Sequence, residues 1–497
     1  MSVLRKFAGQ TAIYGLGTIV PRLINFLLTP LFVKQFSTAV YGIFTLLYSW
    51  AAMIQAILAF GMETTFFRFL QKHEDKARVL NNSFFVVLVI STLFMGAIFS
   101  GAKGIATWLN NGQHDSDYVT YVQLFTLFLV ADALAVIPFA QLRAQGRAMR
   151  FAWLKLTNVV TFIVLNLFFI FCIPWLLVHV PQTIPCIEGW YRPGWLGYVF
   201  IANLSASLLV LLLLLPELIK IRLRPDRALL REMFAYSFPI LIANISFIIN
   251  EYLDKLMIPK LIPGEKGISD NGIYGAVSKI AVFLSIAIQA FRLGAEPFFF
   301  SYAKNENARR VYALIMDYFI IAMVLVMVGI SANIEWLKYF IEGKDTEQQE
   351  LYWSGLPIVP ILLLNYVLLG IYMNLSIWYK LTDQTRFGLY ISGIGAIVTI
   401  VLNVILIPHY SYFAAVWVTT LAYGIMVMLS YFWGQQRYPI PYRVSKNIAY
   451  ILVGLGVCWL TFNVFDRHMI IGNLFFVVFV GITFLLERKT LFALLKK

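Results

Sequence analysis

The chain has 497 residues, 60% of them hydrophobic and 13% charged, with a mean hydropathy of +0.77. A soluble domain carries roughly 25% charged residues, so this chain cannot dress a water-facing surface, and lipid must be its solvent. The net charge of +14 would point to nucleic acid in a soluble protein; here the basic residues sit in short segments between apolar runs, so membrane topology accounts for them and no nucleic-acid role is expected.

A helical crossing needs about 20 mainly apolar residues. Such runs recur near 8–33, 39–62, 83–107, 119–141, 154–178, 195–216, 234–260, 273–300, 312–333, 352–378, 387–407, 412–433, 446–465 and 469–486. Backbone groups in hydrocarbon must be satisfied within the protein, which leaves helices or closed barrels. These runs are too long and too evenly apolar for barrel strands, so the chain is predicted to be an all-α integral membrane protein of about fourteen transmembrane helices. With the N-terminus placed inside, 27 of the 39 Lys and Arg fall on inside segments, 9 outside and 3 within spans. That threefold bias predicts two cytoplasmic termini. Met1–Lys6 is short and basic, but the apolar run after it is long enough to remain as a span, so no cleaved leader is expected. Cys172, Cys186 and Cys458 form neither a CxxC pair nor a Cys/His cluster, so no metal, cofactor or disulfide framework is expected.

An ungapped internal repeat appears at an offset of 233. Tyr41-Gly42 matches Tyr274-Gly275, and Gly61, Glu63, Phe66 and Phe67 match Gly294, Glu296, Phe299 and Phe300. The matches cluster at the two ends of spans two and eight. An offset of six spans keeps both halves in the same orientation, which is a parallel repeat with a substrate site expected between the halves. The predicted organisation is a six-helix lobe over 1–220, a second over 221–436, and two additional helices over 437–497.

Charge within a span is costly and reads as functional by default. In span one, Thr11, Gly15, Thr18, Arg22, Asn25 and Thr29 recur every three or four residues and form one polar stripe, with Arg22 near mid-membrane just after Pro21. That face suits the wall of a hydrated cavity in which Arg22 meets an anionic substrate, with Thr18 and Asn25 beside it. Span eight adds Lys279 and Arg292, roughly 140° apart around the helix. Either can line the cavity; Lys279 can instead snorkel to the outer interface, and Arg292 can pair with Glu296 one turn on. Asp132 in span four and Asp254 at the end of span seven are candidate sites for a coupling ion, Asp254 being left over if Glu251 pairs with Lys255. Glu63 and Arg68 at the inner end of span two, with Glu296, are gate candidates or solvated helix ends. Asp115-Ser116-Asp117 has the DxD form some membrane glycosyltransferases use, but stands in a polar outside turn. No nucleotide-binding loop, HExxH or GxSxG occurs, so no catalytic residue is assigned and an enzyme is not expected.

Val40-Tyr41-Gly42-Ile43-Phe44, Phe60-Gly61-Met62-Glu63 and Arg68 resemble the second helix of O-antigen-flippase-type polysaccharide flippases. Asp254-Lys255-Leu256-Met257-Ile258, Gly272-Ile273-Tyr274, Lys279-Ile280 and Pro297 resemble helices seven and eight of the same family, and Leu4 to Phe32 its first helix. The family sits in the MATE-like multidrug/oligosaccharidyl-lipid/polysaccharide superfamily. The resemblance implies a two-lobed fold in the bacterial inner membrane. It also implies export of an undecaprenyl-pyrophosphate-linked oligosaccharide to the outer leaflet for surface polysaccharide synthesis, with polysaccharide polymerase machinery as a partner. Arg22 and Lys279 best match the cations expected at the pyrophosphate. A lipid II flippase, a cation-coupled multidrug exporter and, more remotely, a membrane polysaccharide polymerase are the competing readings.

Overall fold

The computed structural model describes residues 26–495, apart from 114, 181–183, 304 and 383, together with residues 20, 23 and 24. Among these no strand occurs, and eleven helices are long and apolar enough to cross a membrane. Predicted spans eleven and twelve form one of them, Arg386–Arg437, broken at Ser411 (φ 52°, ψ −137°). Predicted span six is the shorter apolar helix Gly197–Leu213. The first predicted span lies largely outside the described residues. The remaining runs each fall on a helix, and the all-helical membrane fold is as the composition predicts.

Helix starts follow local chemistry. Ser37, Asp75, Asp115, Asp226 and Asp345 each accept a hydrogen bond from a backbone N–H of the first turn, at 2.8–3.3 Å, replacing partners the helix cannot supply. Asp115 is therefore a cap, and Asp117 pairs with Arg192 at 2.9 Å; the DxD is a helix start. Span two ends where Phe60 and Gly61 both turn left-handed (φ 49° and 65°), a conformation glycine adopts without strain. The chain then continues as the amphipathic helix Met62–Lys72, which buries Met62, Thr65, Phe66 and Phe69.

The chain forms two compact units, one extending to Ile268 and one from Ser269 onward. In the first, Lys260 Nζ donates to the terminal carbonyls of the Lys76–Leu109 helix and to Asn111 Oδ1 at 3.0 Å. At the other end buried Glu217 holds Arg147 at 3.1 Å and Arg150 at 2.8 Å. Gly42 is needed because a Cβ there would lie 1.9 Å from the Ile268 carbonyl oxygen.

In the second unit the last two helices, Val444–Trp459 and Met469–Leu495, pack on Ala308–Ala332. Polar contacts fasten them at both ends. At one, Asn333 and Asn473 exchange amide hydrogen bonds of 3.1 and 3.0 Å, and Arg467 meets Glu335 at 3.3 Å. At the other, Asn447 Nδ2 donates to Asp317 Oδ1 at 3.0 Å, while Lys446 pairs with Glu487 at 2.7 Å and approaches Asp317 at 4.0 Å. Asp317 is 1% exposed. Removing one partner of a buried ionic network leaves the others uncompensated, at a cost of about 3 kcal/mol. Asp317→Ala is therefore expected to lower the unfolding midpoint in detergent clearly below wild type, whereas Arg443→Ala, which removes an exposed guanidinium 3.7 Å from Asp317, changes it little. Equal midpoints for Asp317→Ala and wild type would show that the network does not hold the terminal pair.

Candidate functional site

Helix Gly264–Tyr302 carries both span-eight cations. Lys279 is half-buried between Ser278 and Ile280. Arg292 is exposed and lines a narrow cavity against Val359–Leu375 and Ile377–Leu381. The cavity walls are Ile288, Phe291 and Met373; its polar groups are Arg292, Lys380, Asn374 and Ser376. Arg292 and Lys380 carry the charge an oxyanion needs, a guanidinium offering a planar fork of donors and an ammonium a mobile point charge. The space of about 20 Å³ takes little more than a water, and the Asn374 amide donates to the Gly370 carbonyl at 3.2 Å, so the cavity has to open to admit a phosphate. Lys279 is not among the lining residues, in keeping with its different angular position on the helix. Lys380 and Asn374 do not stand out in the sequence. Lys380 counts there as an inside-loop charge, and Asn374 has no neighbour in sequence to mark it. What marks them is proximity to Arg292 in space.

In the first unit Asp132 accepts a 2.6 Å hydrogen bond from Ser207 Oγ on the Gly197–Leu213 helix. One turn before Ser207, Asn203 donates to Tyr48 Oη at 2.8 Å, and Gln55 donates to the Leu129 carbonyl at 3.2 Å. Asp132 thus belongs to a polar cluster shared by three helices. The repeat offset of 233 places Asn365 at the corresponding position of the second unit. Asn365 Oδ1 accepts from Thr420 Oγ1 at 2.6 Å, and its amide donates to the Val416 carbonyl at 3.0 Å. The two halves therefore share an interhelical hydrogen bond at this level, with a carboxylate in one and an amide in the other.

Asp254 is buried but is not left over. Its Oδ1 accepts from the Lys255 backbone N–H at 2.7 Å and lies 3.4 Å from Lys255 Nζ, which also donates to the Glu251 carbonyl. Glu63 and Arg68 do not meet. Glu63 pairs with Arg143 of the Ser116–Ala144 helix, and the Arg68 guanidinium lies 5.9 Å above the Tyr236 ring. The end of span two is fastened to its own unit by these contacts. Thr18, Arg22 and Asn25 lie outside the described residues, as does the side chain of Glu296.

The repeat is visible in local geometry. Tyr41 and Tyr274 are both buried, at 1% and 2% exposure. Thr45 donates back to the Tyr41 carbonyl at 2.9 Å, and Ser278, its counterpart, to the Tyr274 carbonyl at 2.6 Å.

This all-helical architecture is shared with transporters of known structure. The lipid II flippase MurJ, in an inward closed conformation, superposes with a TM-score of 0.67 at 15% identity, over 95% of this chain and 99% of that one. The MATE multidrug transporter DinF-BH gives 0.62 at 16% identity, over 88% and 97%. A MOP superfamily transporter from Pyrococcus furiosus gives 0.58 at 15%, over 87% and 95%. These likenesses define the class: a multipass membrane protein with the MATE/MurJ-like fold. The profile of the polysaccharide biosynthesis protein family matches residues 7–302, and that of the MatE family residues 239–405; the chain belongs to the polysaccharide biosynthesis protein family. No curated protein matches it in sequence at a significant level.

The shared geometry with changed chemistry at Asp132 and Asn365 separates two roles. An amide supports the interhelical hydrogen bond in the second half, so Asp132→Asn is expected to keep the melting temperature while altering the dependence of transport on proton or sodium gradients. Unchanged gradient dependence would reduce Asp132 to a structural hydrogen bond.

Proposed function

We propose that the protein is a flippase carrying an undecaprenyl-pyrophosphate-linked oligosaccharide from the cytoplasmic to the outer leaflet of the bacterial inner membrane, for assembly of a surface polysaccharide. The observation that carries this reading is membership of the polysaccharide biosynthesis family on a transporter fold. One of the solved neighbours, MurJ, is itself a flippase, of lipid II. The proposed organisation is two six-helix lobes, 1–220 and 221–436, followed by two further helices over 437–497. Both termini would be cytoplasmic, as the distribution of basic residues favours.

The chemistry fits such a substrate. A pyrophosphate head needs cations in a site shielded from bulk water; Arg22, Lys279 and the Arg292/Lys380 cavity are the groups proposed to supply them. The prenyl tail stays in the bilayer, so only the head crosses. Each negative charge moving outward across an inside-negative membrane gains about 2.3 kcal/mol per 100 mV, so the membrane potential alone favours export. Asp132 is the proposed site for a coupling cation; at Asp254 a coupling cation would have to displace the Lys255 ammonium that already stands beside the carboxylate. The neighbours are flippases and transporters, which favours translocation over a polymerase reaction. Polysaccharide polymerase machinery is the proposed downstream partner.

Depletion of the protein in its native host tests this. Surface polysaccharide is expected to fall, and the lipid-linked repeat unit to accumulate on the cytoplasmic leaflet; plasmid-borne wild type restores both. Arg22→Ala and the Arg292→Gln/Lys380→Gln pair are expected to restore at most roughly a tenth of the flux, the scale of one lost charge-assisted contact. Full surface polysaccharide after depletion would overturn the assignment.

A further inference from the structure

At the end of the first unit that carries most of its basic residues, a crevice of about 670 Å³ opens between the Met62–Lys72, Lys76–Leu109 and Ser116–Ala144 helices. Its volume falls within the roughly 300–1,000 Å³ of small-molecule sites. The left-handed turn at Phe60-Gly61 re-aims Met62–Lys72 and thereby forms one wall. The floor is apolar: Phe66, Phe67, Leu70 and Leu80. The polar lining consists of Lys76, Lys220, Gln71, Gln141 and Gln145, with no carboxylate.

Several nearby cations on the same face are occupied, although Arg222 and Arg224 beyond the crevice are not among them. Arg143 pairs with Glu63, Arg147 and Arg150 with Glu217, Lys72 with Glu232, and Arg78 with Asp226. Lys76 and Lys220, by contrast, meet no carboxylate among the described residues. Gln141 Oε1 is buried without a hydrogen-bond partner, and a half-turn of its amide would present a donor there instead. Two cations and an unsatisfied amide above an apolar floor, at the membrane end of crossing helices, match an amphiphile with an anionic head. A basic pocket between transmembrane helices on the cytoplasmic side is the setting in which acidic lipid headgroups bind, and lysine stems can lie along the acyl chains while the ammonium groups meet phosphate.

We propose that this crevice is a binding site for one anionic glycerophospholipid, its phosphate held by Lys76 and Lys220 and its chains lying on Phe67 and Leu70. It is built wholly within the first unit and shares no residue with the Arg292/Lys380 cavity, so it does not depend on the transport substrate proposed above.

The test is native mass spectrometry of the full-length protein in detergent, titrated with phosphatidylglycerol and with phosphatidylcholine of the same acyl chains. Wild type is expected to bind the first phosphatidylglycerol about ten- to thirtyfold more tightly, the combined effect of two lysines near a phosphate. Lys76→Gln/Lys220→Gln should bring that preference close to one. Arg222→Gln/Arg224→Gln, which removes the same charge from the same face outside the crevice, should leave it intact. Ala77→Trp, on the crevice wall, should block the first site for both lipids. Excess inorganic phosphate should not displace the lipid. Equal wild-type affinity for the two lipids, equal loss in the two double variants, or displacement by inorganic phosphate would each overturn the proposal. The wild-type comparison and the phosphate competition stand even where a variant folds poorly.

Discussion

Hydrocarbon offers no hydrogen bonds, and that constraint governs this protein at every level. It demands helices, because only they satisfy their own backbone. It also favours polar side chains that find a partner, on their own helix or on a neighbouring one, because an unpaired buried group costs more than a pairing contributes. The few ionisable residues inside the described helices obey this. Asp132 has Ser207, Asp254 has Lys255, Asp317 has Asn447 and the Lys446–Glu487 pair. Charge is used sparingly: at Asp132 and Asp317 it ties neighbouring helices together, and at Asp254 it closes on its own helix.

The same constraint explains how one plan can serve twice with altered chemistry. The two halves keep their packing anchors: a buried tyrosine whose carbonyl accepts from a hydroxyl one turn on, at Tyr41/Thr45 and Tyr274/Ser278. They differ where function would be expected to differ, with Asp132 in one half and Asn365 in the other. A hydrogen bond between helices is served equally by an acid or an amide. A carboxylate adds the capacity to bind a cation or a proton, and only one half retains it at this position.

The helical architecture is legible in the sequence because hydropathy acts over many residues and averages out local ambiguity. The gap between the predicted spans 387–407 and 412–433 contains the break at Ser411, although the chain stays helical on both sides of it. Partners separated by long stretches of chain are not legible. Sequence proximity couples Glu63 with Arg68, whereas the fold pairs it with Arg143, 80 residues away. Asp254 looks left over because Glu251 lies one turn from Lys255, but Lys255 curls back to its immediate neighbour. Arg292 gains significance only when folding brings Lys380 and Asn374 beside it. The DxD at Asp115, which the sequence sets in a polar turn, serves to start a helix. Composition and periodicity report which solvent a segment faces; they do not report which side chain it will touch.

The central claim is that this chain moves a pyrophosphate-linked glycan lipid across a bilayer using cations within its spans. The most direct measurement reconstitutes the purified protein into liposomes carrying a fluorescent undecaprenyl-pyrophosphate oligosaccharide and follows exposure of its headgroup on the opposite leaflet under an imposed potential. The account predicts protein-dependent transfer, faster when the destination side is positive, and strongly reduced by Arg22→Ala. Folded protein that transfers no lipid-linked glycan under either polarity would contradict it.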